Sequence, residues 1–307
     1  MPDRAVRADI EATYKSREIE GFLDLHFYRK IGFQLARFFA WMGFTPNGVT
    51  LLGTLIGIGA GHLYFYRDLA TNIVGMGLHV FSNAMDNADG QLARLTNRHG
   101  SSGRLLDGIG DSLVYASVYV HLCLRFVAAG GSRGIWVAAI LAGLSHSLQS
   151  AVAEFCRDAY LRFAPGKLRS LELSSDLRRQ YEAAAWSPNF FKKLLLKFHV
   201  GYVTEQEMLC PGLVRLEEAA RRTFADGVPP AFQDRYRQKN RAMISFFFLF
   251  RTNARMLLLF LLLFAGQPVW YFAIELTALN FLLVVLAVRQ NAICRELKPL
   301  LTNHAFD

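Results

Sequence analysis

Charge is scarce in this chain: 19% of its 307 residues are Asp, Glu, Lys or Arg, whereas 52% are apolar and Phe alone occurs 25 times. A soluble domain carries about a quarter charged residues, so an ordinary cytosolic enzyme and a disordered tail are both excluded. Cysteine is also sparse. Cys123, Cys156, Cys210 and Cys294 lack the paired spacing of a zinc site or redox motif. That excludes a secreted disulfide scaffold and leaves the four as packing residues. Residues 1–20 mix acidic and basic side chains without the short apolar core of a cleavable signal, so the start of the chain is expected to be mature protein. No internal repeat and no low-complexity tract is present.

Long apolar runs are abundant instead. Residues 49–65, 69–85, 134–155, 243–264 and 269–288 are each near the length that crosses about 30 Å of hydrocarbon, and a sixth run, 111–130, opens on Asp111. The expected fold is therefore all-α: a polytopic membrane protein with six transmembrane helices. The net charge of +9 points away from nucleic acid once its distribution is read. Of 34 Lys and Arg residues only Arg67, Arg125 and Arg133 fall at one set of span ends, leaving 31 on the other side. Positive charge marks the cytoplasmic face, so both termini are expected inside. Thr45 and Pro46 suit the cap and first turn of the first span. Tight outer turns are expected at Arg67-Asp68, Gly130-Gly131 and Gly266-Gln267-Pro268.

These features divide the chain into five parts. Residues 1–44 are a cytoplasmic segment ending in an amphipathic helix, where Phe, Leu, Ile and Trp alternate with Arg29, Lys30 and Arg37, as in a helix lying in the membrane interface. Residues 45–156 hold spans one to four, joined on the cytoplasmic side by a short turn near 97–102. Residues 157–242 are a cytoplasmic insert with 16 basic and 10 acidic residues, and Pro165-Gly166 and Val228-Pro229-Pro230 break it into helices and loops. Residues 243–290 hold spans five and six, and 291–307 form a cytoplasmic tail.

The chemistry concentrates in MDNADGQLARLTNRHGSSGRLLDGIGDSLV, residues 85–114, which places Asp86, Asp89, Asp107 and Asp111 at the cytoplasmic ends of two apolar spans. Four carboxylates at a membrane boundary are tolerable only when cations neutralise them. On a helix Asp86 and Asp89 lie about 60° apart, and Asp107 and Asp111 about 40° apart. Each pair thus projects from one face, and a short turn lets the faces converge. Oxygen-only ligation suits Mg²⁺ or Mn²⁺, while the absence of sulfur and imidazole disfavours zinc. Gly90 and Ala93 share the face of Asp86, and Gly103 and Gly110 flank Asp107, which opens a slot for a diphosphate. Arg94, one turn beyond Gly90, is placed to pair with a phosphate.

Together Asp86, Asp89, Gly90, Ala93, Arg94, Gly103, Asp107 and Asp111 spell Asp-x₂-Asp-Gly-x₂-Ala-Arg-x₈-Gly-x₃-Asp-x₃-Asp. The pattern resembles the signature of the CDP-alcohol phosphotransferase (CDP-alcohol phosphatidyltransferase) family, and a chance match at ordinary residue frequencies is on the order of one in ten million. The resemblance extends over residues 22–162 and 243–301. It implies an integral membrane enzyme of phospholipid biosynthesis, a homodimer, that moves a substituted phosphoryl group from a CDP-linked donor to an alcohol with release of CMP. One of the two substrates would be a lipid: either CDP-diacylglycerol meets a small polyol, or a CDP-linked head group meets a lipid alcohol. Membrane lipids, and no nucleic acid, are the remaining partners. Carried over, the pattern makes Asp86 and Asp107 bridging ligands of two divalent ions, Mg²⁺ or Mn²⁺. Asp89 completes one site and Asp111 the other, with Asp111 also the general base. Gly90 and Arg94 would contact the CDP moiety, and Asn47 and Thr50 would reach the nucleotide from the start of the first span. The stretch LDLHFYRKIG, residues 23–32, is similar to that of longer prokaryotic members handling inositol-type head groups. The expected location is thus a prokaryotic inner membrane, with the active site at its cytoplasmic face. The long insert departs from compact members of the family.

Arg251 and Arg255 sit inside the fifth apolar run one turn apart. They are expected either to line a polar cavity and hold an anionic acceptor or to lie among head groups. His79, His121 and His146 lack ligand spacing and are expected to be hydrogen-bonded packing residues. Two other functional classes are open to the same sequence. A cation channel or transporter would need carboxylates near the bilayer midplane and broken helices. An inactive scaffold would not need intact carboxylates.

Overall fold

The structure is a computed structural model that describes residues 21–97, 101–166, 170–184, 190–224 and 227–302. The expected start of the mature chain (1–20), the middle of the turn between the second and third runs (98–100) and the end of the tail (303–307) lie outside the described residues. Among the described residues the regular elements are helical, with no strand. The chain forms two units, one from residues up to Gly143 with Met256–Ala273, the other from Leu144–Arg255 with residues from Ile274 onward.

In the first unit a π-helical turn, Asp24–Tyr28, leads into α1 (Arg29–Trp41), followed by α2 (Pro46–Leu63), α3 (Leu69–Leu95) and α4 (Ser101–Ala128). Thr45 caps α2 as its sequence implies, its Oγ1 accepting the Gly48 N–H at 3.2 Å with Pro46 in the first turn. Asp68 caps α3 in the same way, accepting the Thr71 N–H at 2.8 Å, and that bond holds its carboxyl below the ordinary carboxylate range. Helix α3 ends where Asn97 turns to φ 53°, a left-handed conformation that Asn tolerates.

Glycine sets how closely these helices approach. Gly53, Gly57 and Gly61 form a stripe four residues apart on α2. A Cβ at Gly57 would fall 2.5 Å from Val114 Cγ2 on α4 and 2.7 Å from Ser82 Oγ on α3. One at Gly61 would lie 2.6 Å from Ser117 Oγ. The backbones can therefore nearly touch, as in membrane helix pairs built on small residues. Two hydroxyls exploit the approach: Ser82 donates to the Gly53 carbonyl at 2.8 Å and Ser117 to that of Ile58 at 2.9 Å. Helix α1 lies against the C-terminal half of α3. There Ala36 and Phe39 join Val49, Met85, Ala88 and Leu92 in a buried cluster, each large side chain contributing about 1.5–3 kcal/mol.

The second unit takes most of α5 (Ile135–Phe163), then α6 (Ser174–Ala183), α7 (Phe190–Leu209), α8 (Pro211–Thr223) and α9 (Pro230–Ile244). A 3₁₀ turn, Phe246–Phe250, precedes α10 (Thr252–Phe264). After α11 (Trp270–Ile274) a π-helical segment, Glu275–Leu279, leads into α12 (Asn280–Thr302). The insert is indeed broken into helices. Buried Glu217 on α8 ties it together, accepting from Arg162 Nε at the end of α5 (3.2 Å), Arg221 Nε (2.9 Å) and the Leu171 N–H (3.2 Å).

Among the described residues three stretches, Leu106–Ala128, Ile135–Phe163 and Trp270–Leu301, are long and apolar enough to cross a membrane. Runs 49–65 and 69–85 do form helices. They fall short of that standard because Thr50, Thr54 and His62 on α2, and Asn72, His79 and Asn83 on α3, dilute them. The run 243–264 differs from expectation. It is divided by the 3₁₀ turn and by Arg251, which is extended at ψ 156°, so its helical part is the 13-residue apolar helix Thr252–Phe264. Exposed stripes such as Val137, Ile140, Leu141 and Leu144 recur at i, i+3, i+4 and i+7. The same spacing holds for Phe281, Val284, Val285 and Val288. Such stripes aggregate in water and are at home in lipid. The chain is an integral membrane protein.

Candidate metal and nucleotide site

The carboxylates meet where α3 and α4 emerge beside the start of α2. Asp86 and Asp89 project from α3 and Asp107 from α4, and one oxygen of each lies within 4.8 Å of the others. Asp89 is buried, and Asp86 and Asp107 are half-buried. Three carboxylates this close repel one another, and their oxygens are the hard donor set that Mg²⁺ or Mn²⁺ takes. The residues present therefore fit a divalent cation. Asp111 stands outside the triplet, exposed one turn further along α4.

The residues around the triplet divide their tasks. Thr50 Oγ1, buried on α2, donates to Asp89 Oδ2 at 2.5 Å and so fixes the orientation of one carboxylate. The Thr50 hydroxyl, expected at the nucleotide, is directed at Asp89 instead. Asn47, exposed in the first turn of α2, brings its Oδ1 within 3.7 Å of where a Gly103 Cβ would stand. Gly110 packs tightly, since a Cβ there would meet Thr54 Oγ1 at 2.5 Å. Gly90 is the opposite case: among the described residues, its own helix backbone aside, the atoms within 4 Å of its Cβ position are the Arg94 guanidinium nitrogens, both at 3.8 Å. A side chain is thus missing at Gly90 where space opens toward a cation, which is the form of an anion slot.

Two contributions went unread in the sequence. The Gly53-Gly57-Gly61 stripe draws α2 against α3 and α4, and without it Thr50 would not reach Asp89. Its four-residue spacing was the available signal. Glu275 lies inside the last apolar run and is fully buried beside Arg255. An ionisable residue in a span calls for a partner, and that was the sign to follow. Arg255 donates to Glu275, to Gln149 Oε1 at 2.7 Å and to the Phe250 carbonyl at 2.9 Å, with His146 Nδ1 at 3.1 Å. It is 1% exposed. Neither an acceptor cavity nor a head-group layer therefore surrounds Arg255: its guanidinium is consumed by a buried ion pair. Arg251 is half-buried, its guanidinium 5.6 Å from the Phe248 ring centre. The histidines are hydrogen-bonded as expected, His79 with Tyr64, His121 with His62, and His146 with Arg255. The cysteines are buried and free, and Cys156 and Cys210 approach to 3.9 Å between sulfurs.

Comparison with known proteins gives the site a context. Residues 43–162 match the family model described as CDP-alcohol phosphatidyltransferase, a span that contains every residue of the site. A protein of Thermococcus kodakarensis named bifunctional IPC transferase and DIPP synthase is 28% identical over 177 residues, covering 54% of this chain and 39% of that protein. The chain thus spans about two fifths of its relative's length. From the α2 cap through the carboxylate cluster to the end of α5, the chain is similar to a CDP-alcohol phosphatidyltransferase domain.

Proposed function

We propose that this protein transfers a substituted phosphoryl group from a CDP-linked donor to an alcohol, releasing CMP, at the cytoplasmic face of a membrane it crosses six times. The observation that carries the reading is the convergence of Asp86, Asp89 and Asp107 oxygens within 4.8 Å inside the family-matching region. Asp86, Asp89 and Asp107, with Asp111 beside them, would hold two divalent ions. Bound there, Mg²⁺ or Mn²⁺ would neutralise charge on the diphosphate and on the departing CMP.

The chain's own groups would then act as follows. Thr50 holds Asp89 in one orientation. Gly90 leaves room for the nucleotide diphosphate, Arg94 offers its guanidinium to a phosphate oxygen, and Asn47 approaches from α2. Asp111, beside the triplet and exposed, takes the proton of the attacking alcohol as its oxygen bonds to phosphorus. The excess of basic residues on one side supports cytoplasmic termini, and the exposed Phe22, Phe27, Phe38 and Trp41 around α1 support its lying in the interface. Either substrate can carry the lipid, an inositol-type head group follows from residues 23–32, and a homodimer and a prokaryotic inner membrane follow from the family resemblance.

Purified protein should release CMP from CDP-diacylglycerol or from a CDP-linked head group only when a matching alcohol is added. Screening both donor classes against a panel of polyols and lipid alcohols tests this. Failure of every pair, by protein that remains monodisperse, would reject the reading.

A further inference from the structure

Two imidazoles that the carboxylate site does not use meet between α2 and α4. His62 and His121 stand 59 residues apart in the sequence, so no ligand spacing announces them. Gly61 brings their helices together, since a Cβ there would lie 2.6 Å from Ser117 Oγ, one turn before His121. His62 Nδ1 consequently lies 3.0 Å from His121 Nε2, with the two rings at 85°. The pair is about 18 Å along α2 from Thr50 and about 15 Å along α4 from Asp111, remote from the carboxylates.

The surroundings of His121 set its tautomer. Its Nδ1 lies 2.7 Å from the Ser117 carbonyl, while the Ser117 hydroxyl donates to the Ile58 carbonyl at 2.9 Å. A carbonyl can only accept, so Nδ1 carries the proton and Nε2 turns its lone pair toward His62. An imidazole whose far nitrogen donates to a backbone carbonyl is in the arrangement that metal-binding histidines adopt. His62 is exposed, and its Nε2 makes no hydrogen bond among the described residues, so its proton is free to sit on either nitrogen. With the proton on Nδ1 the rings share a hydrogen bond. With it on Nε2, both facing nitrogens offer lone pairs. Two nitrogens bound to one ion at about 2.0–2.1 Å, near a right angle, stand about 3 Å apart. The observed separation matches, and the exposed His62 ring has only to turn.

We propose that His62 and His121 chelate a divalent transition ion, Zn²⁺ or Cu²⁺, at the ends of α2 and α4 remote from the carboxylates. Imidazole nitrogen suits these ions, whereas the oxygen triplet suits Mg²⁺ or Mn²⁺, so ligand chemistry separates the two sites. The ion takes the place of the shared proton, and water completes its coordination on the exposed side of His62. It thereby ties α2 to α4. This role is independent of the phosphoryl-transfer reading, since neither histidine belongs to the carboxylate site.

The test uses the full chain, purified without a polyhistidine tag and kept in Mg²⁺. Calorimetric titration with Zn²⁺ should show one equivalent bound at this site both in the parent and in Asp86→Asn. His62→Ala should weaken that binding at least as much as loss of an outer-shell partner does, about tenfold or more. His62→Asn should weaken it equally, because its amide can still donate to His121 Nε2 but supplies no imidazole. One equivalent of Cu²⁺ should give an electron paramagnetic resonance spectrum with coupling to two imidazole nitrogens, reduced to one in either variant. His62 is exposed, so both variants should elute as the parent does, which confirms that folded molecules are being read. Unchanged Zn²⁺ affinity in both His62 variants would overturn the proposal. So would a parent Cu²⁺ spectrum without two nitrogen couplings, or loss of the Zn²⁺ equivalent in Asp86→Asn, which would assign the ion to the carboxylates.

Discussion

Single atoms decide whether the carboxylate cluster works. Thr50 Oγ1 spends its proton on Asp89, so Thr50→Val should leave the fold intact and weaken divalent activation about 10–100-fold, read as a shift in the Mn²⁺ concentration for half-maximal turnover. An unchanged activation curve would show that Asp89 is held by something else. Two glycines should separate cleanly. Gly57→Ala forces a Cβ into Val114 and Ser82 and should cost about 1–3 kcal/mol of stability. At Gly90 a Cβ meets no described atom closer than the Arg94 guanidinium at 3.8 Å, its own helix backbone aside, so Gly90→Leu should fold and elute normally yet lose CDP binding. Normal CDP affinity in that variant would place the slot elsewhere. Asp111→Asn should keep CDP binding while turnover falls by about 10²-fold or more, because the amide preserves shape but takes no proton.

Helices show what periodicity can and cannot reveal. The cap at Thr45, the turns at Gly130 and Gly266 and the convergence of α3 and α4 were legible, because each rests on local chemistry: a hydroxyl accepting an N–H, or a glycine at φ 85° or 67°. The meeting of Asp86, Asp89 and Asp107 was legible for the same reason, since an i, i+3 pair and a carboxylate on the next helix need only a short turn to converge, whereas Asp111 stands outside that triplet. The division of run 243–264 was not, because unbroken hydrophobicity hides where a helix stops. Nor was the Arg255–Glu275 pair, whose partners stand 20 residues apart and meet only when the chain is folded. Arg255→Met should therefore destabilise by about 3–5 kcal/mol by stranding Glu275, while Arg255→Met with Glu275→Met should recover most of the loss. Thermal stability in detergent measures both. Equal melting of the single variant and the parent would mean that the pair contributes nothing.

At the scale of the whole molecule, a membrane protein concentrates costly groups only where chemistry requires them. Fully buried Glu275 and Arg255 neutralise one another, and Glu217 is matched by Arg162 and Arg221. In the carboxylate triplet a like-charge assembly is held at the mouth of tightly packed helices, and an external cation is the natural counterpart. The most direct measurement is CMP release by purified protein as Mg²⁺ or Mn²⁺ is titrated back after EDTA, with Asp86→Asn run alongside. The account predicts no release without metal, saturable recovery on its return, and loss of both donor binding and turnover in Asp86→Asn. Full activity in metal-free buffer, or an Asp86→Asn enzyme that titrates like the parent, would contradict it.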